Sequence, residues 1–314
     1  MRIILAKPRG FCAGVERAIR CVEMALEEYG PPVYVLNNIV HNAHVVEGLR
    51  RKGAIFVKDV LEVPEGSLLL FSAHGVAPSR WEQAKQRRLR LIDATCPLVE
   101  KVHNEAKRFA AKDMTIILVG EAGHDETVGT MGEAPDHIIL VQSKEEVATL
   151  SVPNPDRVAY ITQTTLSVED AREVIEALRE RFPNIIGPPK DDICYATTNR
   201  QSAVTAWVHE VDLVLVVGDR ESANSTRLAE IARARGKPAY LILDASWIQE
   251  EWLDAVQTVL LTSGASVPED HVQGVIAYLK SRGPCEVEER ELVREDVEFR
   301  LPKVYSFAEV ETAL

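Results

Sequence analysis

The chain has 314 residues, 46% hydrophobic and 27% charged, with a formal net charge of −12. This is globular composition, long enough for two or three domains with real cores, and its acidity argues against a broad nucleic-acid surface, which needs basic residues. No apolar run approaches the ~20 residues of a membrane helix, and charge interrupts residues 1–7 too early for a signal peptide, so the expected location is the cytoplasm, with neither a membrane nor a nucleic-acid partner.

Cys12 stands before a helical stretch, Val15 to Tyr29, stopped by Gly30-Pro31-Pro32. Val33–Leu36 reads as a strand leading to Val40-His41-Asn42. A second helix and the short strands Ala54–Val57 and Leu68–Phe71 follow, the last ending in Ser72-Ala73-His74-Gly75. Cys96 opens the same order again. A helix runs to about Lys112, then Thr115–Val119 leads into Gly123-His124-Asp125-Glu126. Ile138–Val141 and Val158–Ile161 come next, the latter entering Thr162-Gln163-Thr164-Thr165. Cys194 opens it a third time. A helix runs to about Glu210, Leu213–Val217 leads into Ser222-Ala223-Asn224-Ser225, and Ala239–Leu243 follows. Val259–Leu261 then enters Thr262-Ser263-Gly264-Ala265-Ser266. His41, His124 and Asn224 fall 28–30 residues after their cysteines, and His74, Thr164 and Ser266 fall 62–72 residues after them. The tail departs from the pattern: Glu286 to Glu298 is mostly charged, and Phe299 to Phe307 reads as extended, with no legible function.

An internal repeat fixes architecture before chemistry. Short apolar strands alternating with helices mean βαβ units and parallel sheets. The expected fold is α/β: three similar βαβ domains with small parallel sheets, arranged pseudo-threefold around a central site. Residues 1–95 hold Cys12, 96–193 hold Cys96, 194–281 hold Cys194, and 282–314 form a C-terminal extension. Ligands of such sheets bind beyond the carboxyl ends of the strands, where the six matched polar residues fall. Helix starts lie close by, marked by Pro78, Pro268 and a capping Ser167, and their free amides suit an anion. Any one strand-end histidine is better read as an ordinary loop residue. Six polar positions matched to three cysteines are hard to obtain by packing alone.

Five cysteines in a reducing compartment point to metal binding, catalysis or burial rather than a disulfide framework. Cys21 and Cys285 lie outside the repeat and read as ordinary core or surface residues. No local C-x₂-C pair exists, so zinc held by three thiolates and a histidine has no evident task here. A cubane iron–sulfur cluster normally takes four cysteines. Three would leave one iron open to a hydroxyl or water. The plainer alternative is three buried helix-start cysteines without function. Gly236-Lys237 is followed by Pro238, so there is no P-loop, and no G-x-G-x-x-G follows a strand. Electrons for a redox reaction would come from a separate one-electron carrier of ferredoxin or flavodoxin type.

Pro8-Arg9-Gly10-Phe11-Cys12-Ala13-Gly14-Val15, Val40-His41-Asn42, Ser72-Ala73-His74-Gly75-Val76 and Asp93-Ala94-Thr95-Cys96-Pro97 form a set with further motifs. These are Gly123-His124-Asp125-Glu126 with Gly129-Thr130-Met131-Gly132, Thr162-Gln163-Thr164-Thr165-Leu166-Ser167, and Asp192-Ile193-Cys194. The set resembles the signature of the 4-hydroxy-3-methylbut-2-enyl diphosphate reductases of the non-mevalonate isoprenoid pathway, over residues 1 to about 280. The resemblance implies three α/β domains around one [4Fe–4S] cluster per subunit, held by Cys12, Cys96 and Cys194. It implies an allylic diphosphate substrate whose hydroxyl is removed reductively, giving isopentenyl and dimethylallyl diphosphate. It places diphosphate contacts on His41, His74, His124, Ser222, Asn224 and Ser266, the acid–base glutamate on Glu126, and Thr164 beside the substrate hydroxyl. Two departures stand out. Ala223 replaces a second serine, so its contact should pass to backbone or to Ser222. Asp125 replaces a usual proline and is expected to face away from the diphosphate, since anion beside anion is unfavourable. The glycines at 120, 123, 129 and 132 suit close backbone approach and a mobile loop. Two rivals use the same thiols: a cluster hydro-lyase acting on a hydroxy acid, which would want arginine clamps, and a non-enzymatic cluster sensor.

Overall fold

The computed structural model describes residues 1–306 and Glu309. The chain opens with β1 (Arg2–Lys7) and passes Cys12 into α1 (Ala13–Tyr29). Then come β2 (Val33–Leu36), α2 (Ala43–Arg51), β3 (Ala54–Val57), β4 (Leu68–Phe71), α3 (Pro78–Gln86) and β5 (Arg90–Asp93), which runs out to Cys96. Next are α4 (Pro97–Ala110), β6 (Thr115–Val119), α5 (Asp125–Glu133), β7 (Ile138–Val141), α6 (Lys144–Thr149), β8 (Val158–Thr162) and α7 (Val168–Arg181), before Cys194. The last group is α8 (Tyr195–Trp207), β9 (Leu213–Val217), α9 (Ala223–Ala234), β10 (Ala239–Ile242), β11 (Thr258–Ser263), α10 (Glu269–Ser281), β12 (Glu286–Glu291) and β13 (Val304–Tyr305). The fold is α/β with three small, mainly parallel sheets. Among the described residues no helix is long and apolar enough to cross a membrane.

The residues group into two compact units. The first comprises Met1–Ala13, His41–Val45 and Tyr195–Glu298. Its sheet runs β10-β9-β11-β1-β12, all parallel. Alternate residues of each strand face opposite sides, and both sides are covered. Ile3, Leu5, Leu215 and Leu261 pack with Val272, Val275 and Leu279 of α10. Ile4, Val214, Val216 and Leu260 pack with Val204 of α8 and Leu228 of α9. Parallel sheets buried on both faces read as unbroken apolar runs, which is why Leu213–Val217 is visible as a strand. Each fully buried Leu or Val here contributes about 1.5–3 kcal/mol relative to exposure.

The second unit comprises Gly14–Val40, Val46–Cys194 and the described residues from Phe299 on. It holds two sheets. One runs β5-β4-β2-β3 with β13 added antiparallel on the β5 edge, where Tyr305 stands edge-on to Trp81. The other runs β7-β6-β8. Beyond β8, Ile186 makes a single parallel bridge to Ala159.

The three sheets share one order. The segment that leads toward a cysteine lies beside the strand that ends in the matched polar cluster: β1 beside β11, β5 beside β4, Ile186 beside β8. The repeat is thus circularly permuted against its cysteines. The strand before Cys12 belongs with the sheet of residues 213–263, not with that of residues 33–93. A unit counted from Cys194 therefore leaves out β1, while β5 and the Ile186 bridge, which precede Cys96 and Cys194, fall within the units counted from Cys12 and Cys96.

The tail also differs from its expectation. The first part of the charged stretch, Glu286–Glu291, is a strand, β12, parallel to β1. Its carboxylates meet the basic residues at the sheet edge: Arg2 with Glu288 at 2.5 Å, Arg9 with Glu289 at 2.9 Å and Lys7 with Glu291 at 3.7 Å. A charged edge strand of this kind resists pairing with other chains. Of the segment expected to be extended, Val304–Tyr305 is strand, and Phe307 lies outside the described residues.

Candidate functional site

Each repeat cysteine is half-buried, and each has its backbone N–H held by the end of the adjacent strand. Cys12 donates to the Ala265 carbonyl at 3.1 Å, Cys96 to Ala73 at 2.9 Å and Cys194 to Thr164 at 3.0 Å. Ala265 and Ala73 immediately precede Ser266 and His74, and in the third case the acceptor is the matched residue Thr164 itself, so a similar backbone device recurs three times with a shift of one residue in the last. Cys96 is the N-cap residue of α4, with Pro97 in the first turn. The five cysteines form no disulfide. Cys21 differs in kind: it is wholly buried in α1, and burial pushes its thiol up to about 11. Cys285 packs at the rim of the β1–β11 core.

In the second unit the polar residues gather beside Cys96 and Cys194. His124 is the N-cap of α5, its Nδ1 accepting from the Glu126 N–H at 3.2 Å. An accepting Nδ1 leaves the ring proton on Nε2. Glu126 is 2% exposed. Thr164 grips both its oxygens: the backbone N–H donates to Oε1 at 2.6 Å and the hydroxyl to Oε2 at 2.9 Å. Burial pushes the Glu126 carboxyl up to about 7, against the Thr164 hydrogen bonds that favour the anion; Asp192 and Glu121 add further upward pressure. Thr164 therefore touches the acid with its donors and the Cys194 N–H with its carbonyl. His74 lies edge-on to His124, ring centroids 5.8 Å apart, and its Nδ1 is 3.3 Å from the Ser72 hydroxyl.

Asp125 lies on the side of Asn37 and His74. Its Oδ1 accepts from the Asn37 amide at 3.2 Å and its Oδ2 lies 4.0 Å from His74 Nδ1. The first turn of α5 aims it there, and a neighbouring imidazole and amide give the carboxylate the partners it needs. Close backbone approach explains two of the four glycines: a Cβ on Gly132 would lie 2.2 Å from that of Ala77, and one on Gly129 3.3 Å from the backbone of Gly75.

In the first unit, the His41 carbonyl accepts from the Ser266 hydroxyl at 3.0 Å. Asn224 is buried, with Oδ1 accepting from the Ala265 N–H at 2.9 Å and Nδ2 donating to the Thr197 hydroxyl at 3.4 Å. Ser222 is the N-cap of α9, its Oγ accepting from the N–H and hydroxyl of Ser225 at 3.3 and 3.0 Å. His41, Ser222, Asn224 and Ser266 thus share one strand-end cluster with the Cys12 loop. The neighbouring segment is pinned there by Ala43 N–H on Asp219 at 3.0 Å and His44 on Asp244 at 3.2 Å.

Several supporting residues stand inside the sequence motifs, where no role was legible for them. Asp192 is buried, takes the Thr162 N–H at 2.9 Å and pairs with Lys101 at 2.8 Å, which ties the Cys194 loop to β8. Asp93 accepts from the Thr95 N–H at 3.0 Å and shapes the turn into Cys96. An aspartate two or three residues before both cysteines was the available signal. Gln163 is buried and takes the Glu121 N–H at 2.8 Å and the Thr127 hydroxyl at 3.2 Å, fixing the loop that leads to Glu126.

The sequence profile of the LytB protein family matches residues 3–280. The chain is 59% identical over 302 residues to a 4-hydroxy-3-methylbut-2-enyl diphosphate reductase of Acidothermus cellulolyticus, covering 96% of this chain and 89% of that one. It is 54% identical over 302 residues to the enzyme of the same name from Burkholderia pseudomallei, covering 96% of both. Among solved structures, the E-1-hydroxy-2-methyl-but-2-enyl-4-diphosphate reductase of Plasmodium falciparum superposes with a TM-score of 0.93 at 38% identity, covering 99% of this chain and 98% of the other. A second solved structure, an (E)-4-hydroxy-3-methyl-but-2-enyl diphosphate reductase described as the terminal enzyme of the non-mevalonate pathway, superposes with a TM-score of 0.64 at 31% identity, covering 89% and 99%.

Proposed function

The chain belongs to the LytB family of 4-hydroxy-3-methylbut-2-enyl diphosphate reductases, and from that premise we propose that it reductively removes the allylic hydroxyl of (E)-4-hydroxy-3-methylbut-2-enyl diphosphate, giving isopentenyl and dimethylallyl diphosphate. The observation that carries this reading is the buried Glu126–Thr164 pair, an acid poised near neutrality within one residue's reach of the Cys194 backbone.

We propose Cys12, Cys96 and Cys194 as the ligands of one [4Fe–4S] cluster. The donor set fits: three half-buried thiols in one repeated backbone setting, with Cys21 excluded by burial and its raised pKa. When bound, such a cluster supplies an electron path and a Lewis-acidic iron without a protein ligand. The chain's own residues then bind and protonate. His41, His74, Ser222, Asn224 and Ser266, with His124 through its Nε2–H, offer imidazole, hydroxyl and amide donors to the diphosphate. The free amides at the start of α9 take the place of the missing serine at Ala223. Thr164 orients the substrate oxygen, and Glu126 supplies its proton through the Thr164 hydroxyl. The C–O bond breaks and water leaves. Two electrons from a ferredoxin- or flavodoxin-type donor and a second proton at the allylic carbon complete the C–H bond. Three α/β domains, jointed near residues 95 and 193 with residues 1–13 folding with the third, are our reading of the domain organisation, and the cytoplasm our reading of the location.

Anaerobic reconstitution tests the proposal. About four irons and four sulfides per chain are expected, with turnover of the allylic diphosphate under a one-electron reductant. Zinc without iron would overturn it, and turnover of a hydroxy acid without any reductant would favour the hydro-lyase. Asn224 gives a second test, because its two amide atoms do different work. Asn224→Asp keeps the acceptor that holds Ala265 but sets a negative charge beside the diphosphate. It is expected to retain the cluster and to weaken substrate binding by ~10–100-fold, the worth of a hydrogen bond to a charged group. Calorimetric titration with substrate reads this directly, and unchanged affinity removes Asn224 from the substrate contacts.

A further inference from the structure

Arg200 is fully buried on α8, six residues past Cys194. Its Nη2 donates to the Gly10 carbonyl at 2.8 Å and its Nη1 to the Ala196 carbonyl at 2.9 Å. The carboxylate facing it comes from the C-terminal segment: Nη1 meets Glu295 Oε1 at 3.1 Å and Oε2 at 3.3 Å. The Asn199 amide donates to the same Oε1 at 3.0 Å. Gly10 lies two residues before Cys12, at φ +71°, and its N–H is held by the Ser263 hydroxyl at 2.8 Å. An L side chain at Gly10 would be strained by that angle.

We propose that Glu295 is a positioning residue for Cys12: the C-terminal segment latches Arg200, and Arg200 holds the Gly10 carbonyl and with it the loop that presents the Cys12 thiol. A buried guanidinium needs a counter-charge and satisfied donors. Glu295 supplies the charge at Nη1, which leaves Nη2 directed at Gly10, while the buried Nε has no hydrogen-bond partner among the described residues. Without the carboxylate, Arg200 is a buried cation that recruits water or another acceptor, and the Gly10 contact is the bond it can give up. The next residue makes an internal control. Asp296 pairs with Arg294 at 2.9 Å on the surface, both side chains more than two-thirds exposed. This inference rests on the cluster-ligand role proposed for Cys12, and its test reads the thiol separately from the metal.

The experiment compares wild type, Glu295→Gln, Arg200→Lys and Asp296→Asn. In reduced, metal-free protein, alkylation of each cysteine by iodoacetamide is followed by peptide mass spectrometry. Iron and sulfide are then measured after anaerobic reconstitution. Glu295→Gln is expected to speed alkylation of Cys12 by about tenfold or more, as a local loop opening would once a charge-assisted bond is lost, while Cys96 and Cys194 stay near wild type. Cluster occupancy should fall in the same variant. Arg200→Lys, which keeps the charge but loses the fork, should do the same, and Asp296→Asn should match wild type. Wild-type Cys12 reactivity in Glu295→Gln and Arg200→Lys overturns the latch. So does an equal rise at all three thiols, which would mean general loosening. A Cys12-specific change in a protein whose wild type assembles no cluster leaves the latch standing and overturns the cluster reading instead.

Discussion

Replacing Glu126 by glutamine is expected to slow the chemical step by ~10²–10⁴-fold, the usual loss when a positioned acid–base group is removed, while cluster content and substrate affinity stay near wild type. Glutamine keeps the shape and can accept from Thr164, but it has no carboxyl proton to give. Burial holds this carboxyl at about 7, above the ordinary range of a glutamate. The proton is therefore largely present below pH 7 and is lost as pH rises through 7, so kcat should fall on the alkaline side in the wild type. That limb should vanish in Glu126→Gln. The same shift fixes the sign for stability: a raised folded-state pKa stabilises the fold at low pH, and that contribution disappears between the unfolded value and 7. Thr164→Val should also slow turnover, since it removes the hydroxyl on Glu126 Oε2. Asp125→Asn should act elsewhere. Its carboxylate faces His74 and Asn37, so a change in substrate affinity is expected and the chemical step should hold. Single-turnover kinetics across pH 5.5–8.5 separate these outcomes, and wild-type turnover in Glu126→Gln would remove it as the acid.

The strands between residues 33 and 261 were legible because they are short, unbroken apolar runs bounded by glycine, proline or polar clusters, as parallel strands buried on both faces must be. β5 was not, because four residues with charge at both ends carry little periodicity. β12 was hidden for the opposite reason. Its alternating glutamates look like a solvated tail until Arg2, Lys7 and Arg9 from the other end of the chain are set beside them. The permuted frame has the same origin: β1 joins β11 across more than 250 residues, and local pattern cannot report such a pairing. At the candidate site, His124 and Thr164 were legible as polar residues at the repeat's offsets, whereas Glu126 lies outside those offsets and came only with the family resemblance. The residues that hold them were not. Asp192 with Lys101, and Glu295 with Arg200, are ordinary charged residues in sequence, and only burial separates them from the many solvated charges of a chain at −12. The neighbours of Asp125 were not legible, because a helix position gives a direction, whereas the partner, Asn37, comes from the loop after β2.

Each of Cys12→Ser, Cys96→Ser and Cys194→Ser is expected to lose the cluster and turnover together, with activity near the limit of detection. A serine hydroxyl is a hard, weakly acidic donor that does not replace a soft thiolate on iron, and two remaining thiols cannot hold a cubane. The backbone argues that the fold will survive. What fixes each loop is a main-chain bond, Cys12 to Ala265, Cys96 to Ala73 and Cys194 to Thr164, and serine keeps the N–H that makes it. Circular dichroism of the three variants should therefore match wild type while iron content collapses. Cys21→Ser and Cys285→Ser should retain iron and activity, because the first thiol is locked in the α1 core at a pKa of about 11 and the second packs against the apolar residues of the first unit. Cys21→Ser should be the less stable of the two, since it sets a hydroxyl in a fully buried apolar site at a cost of about 1–3 kcal/mol if unpaired. Full iron in any one of the three repeat variants would remove that cysteine from the ligand set. Iron lost in Cys21→Ser with the fold intact would replace the threefold assignment with one the repeat does not predict.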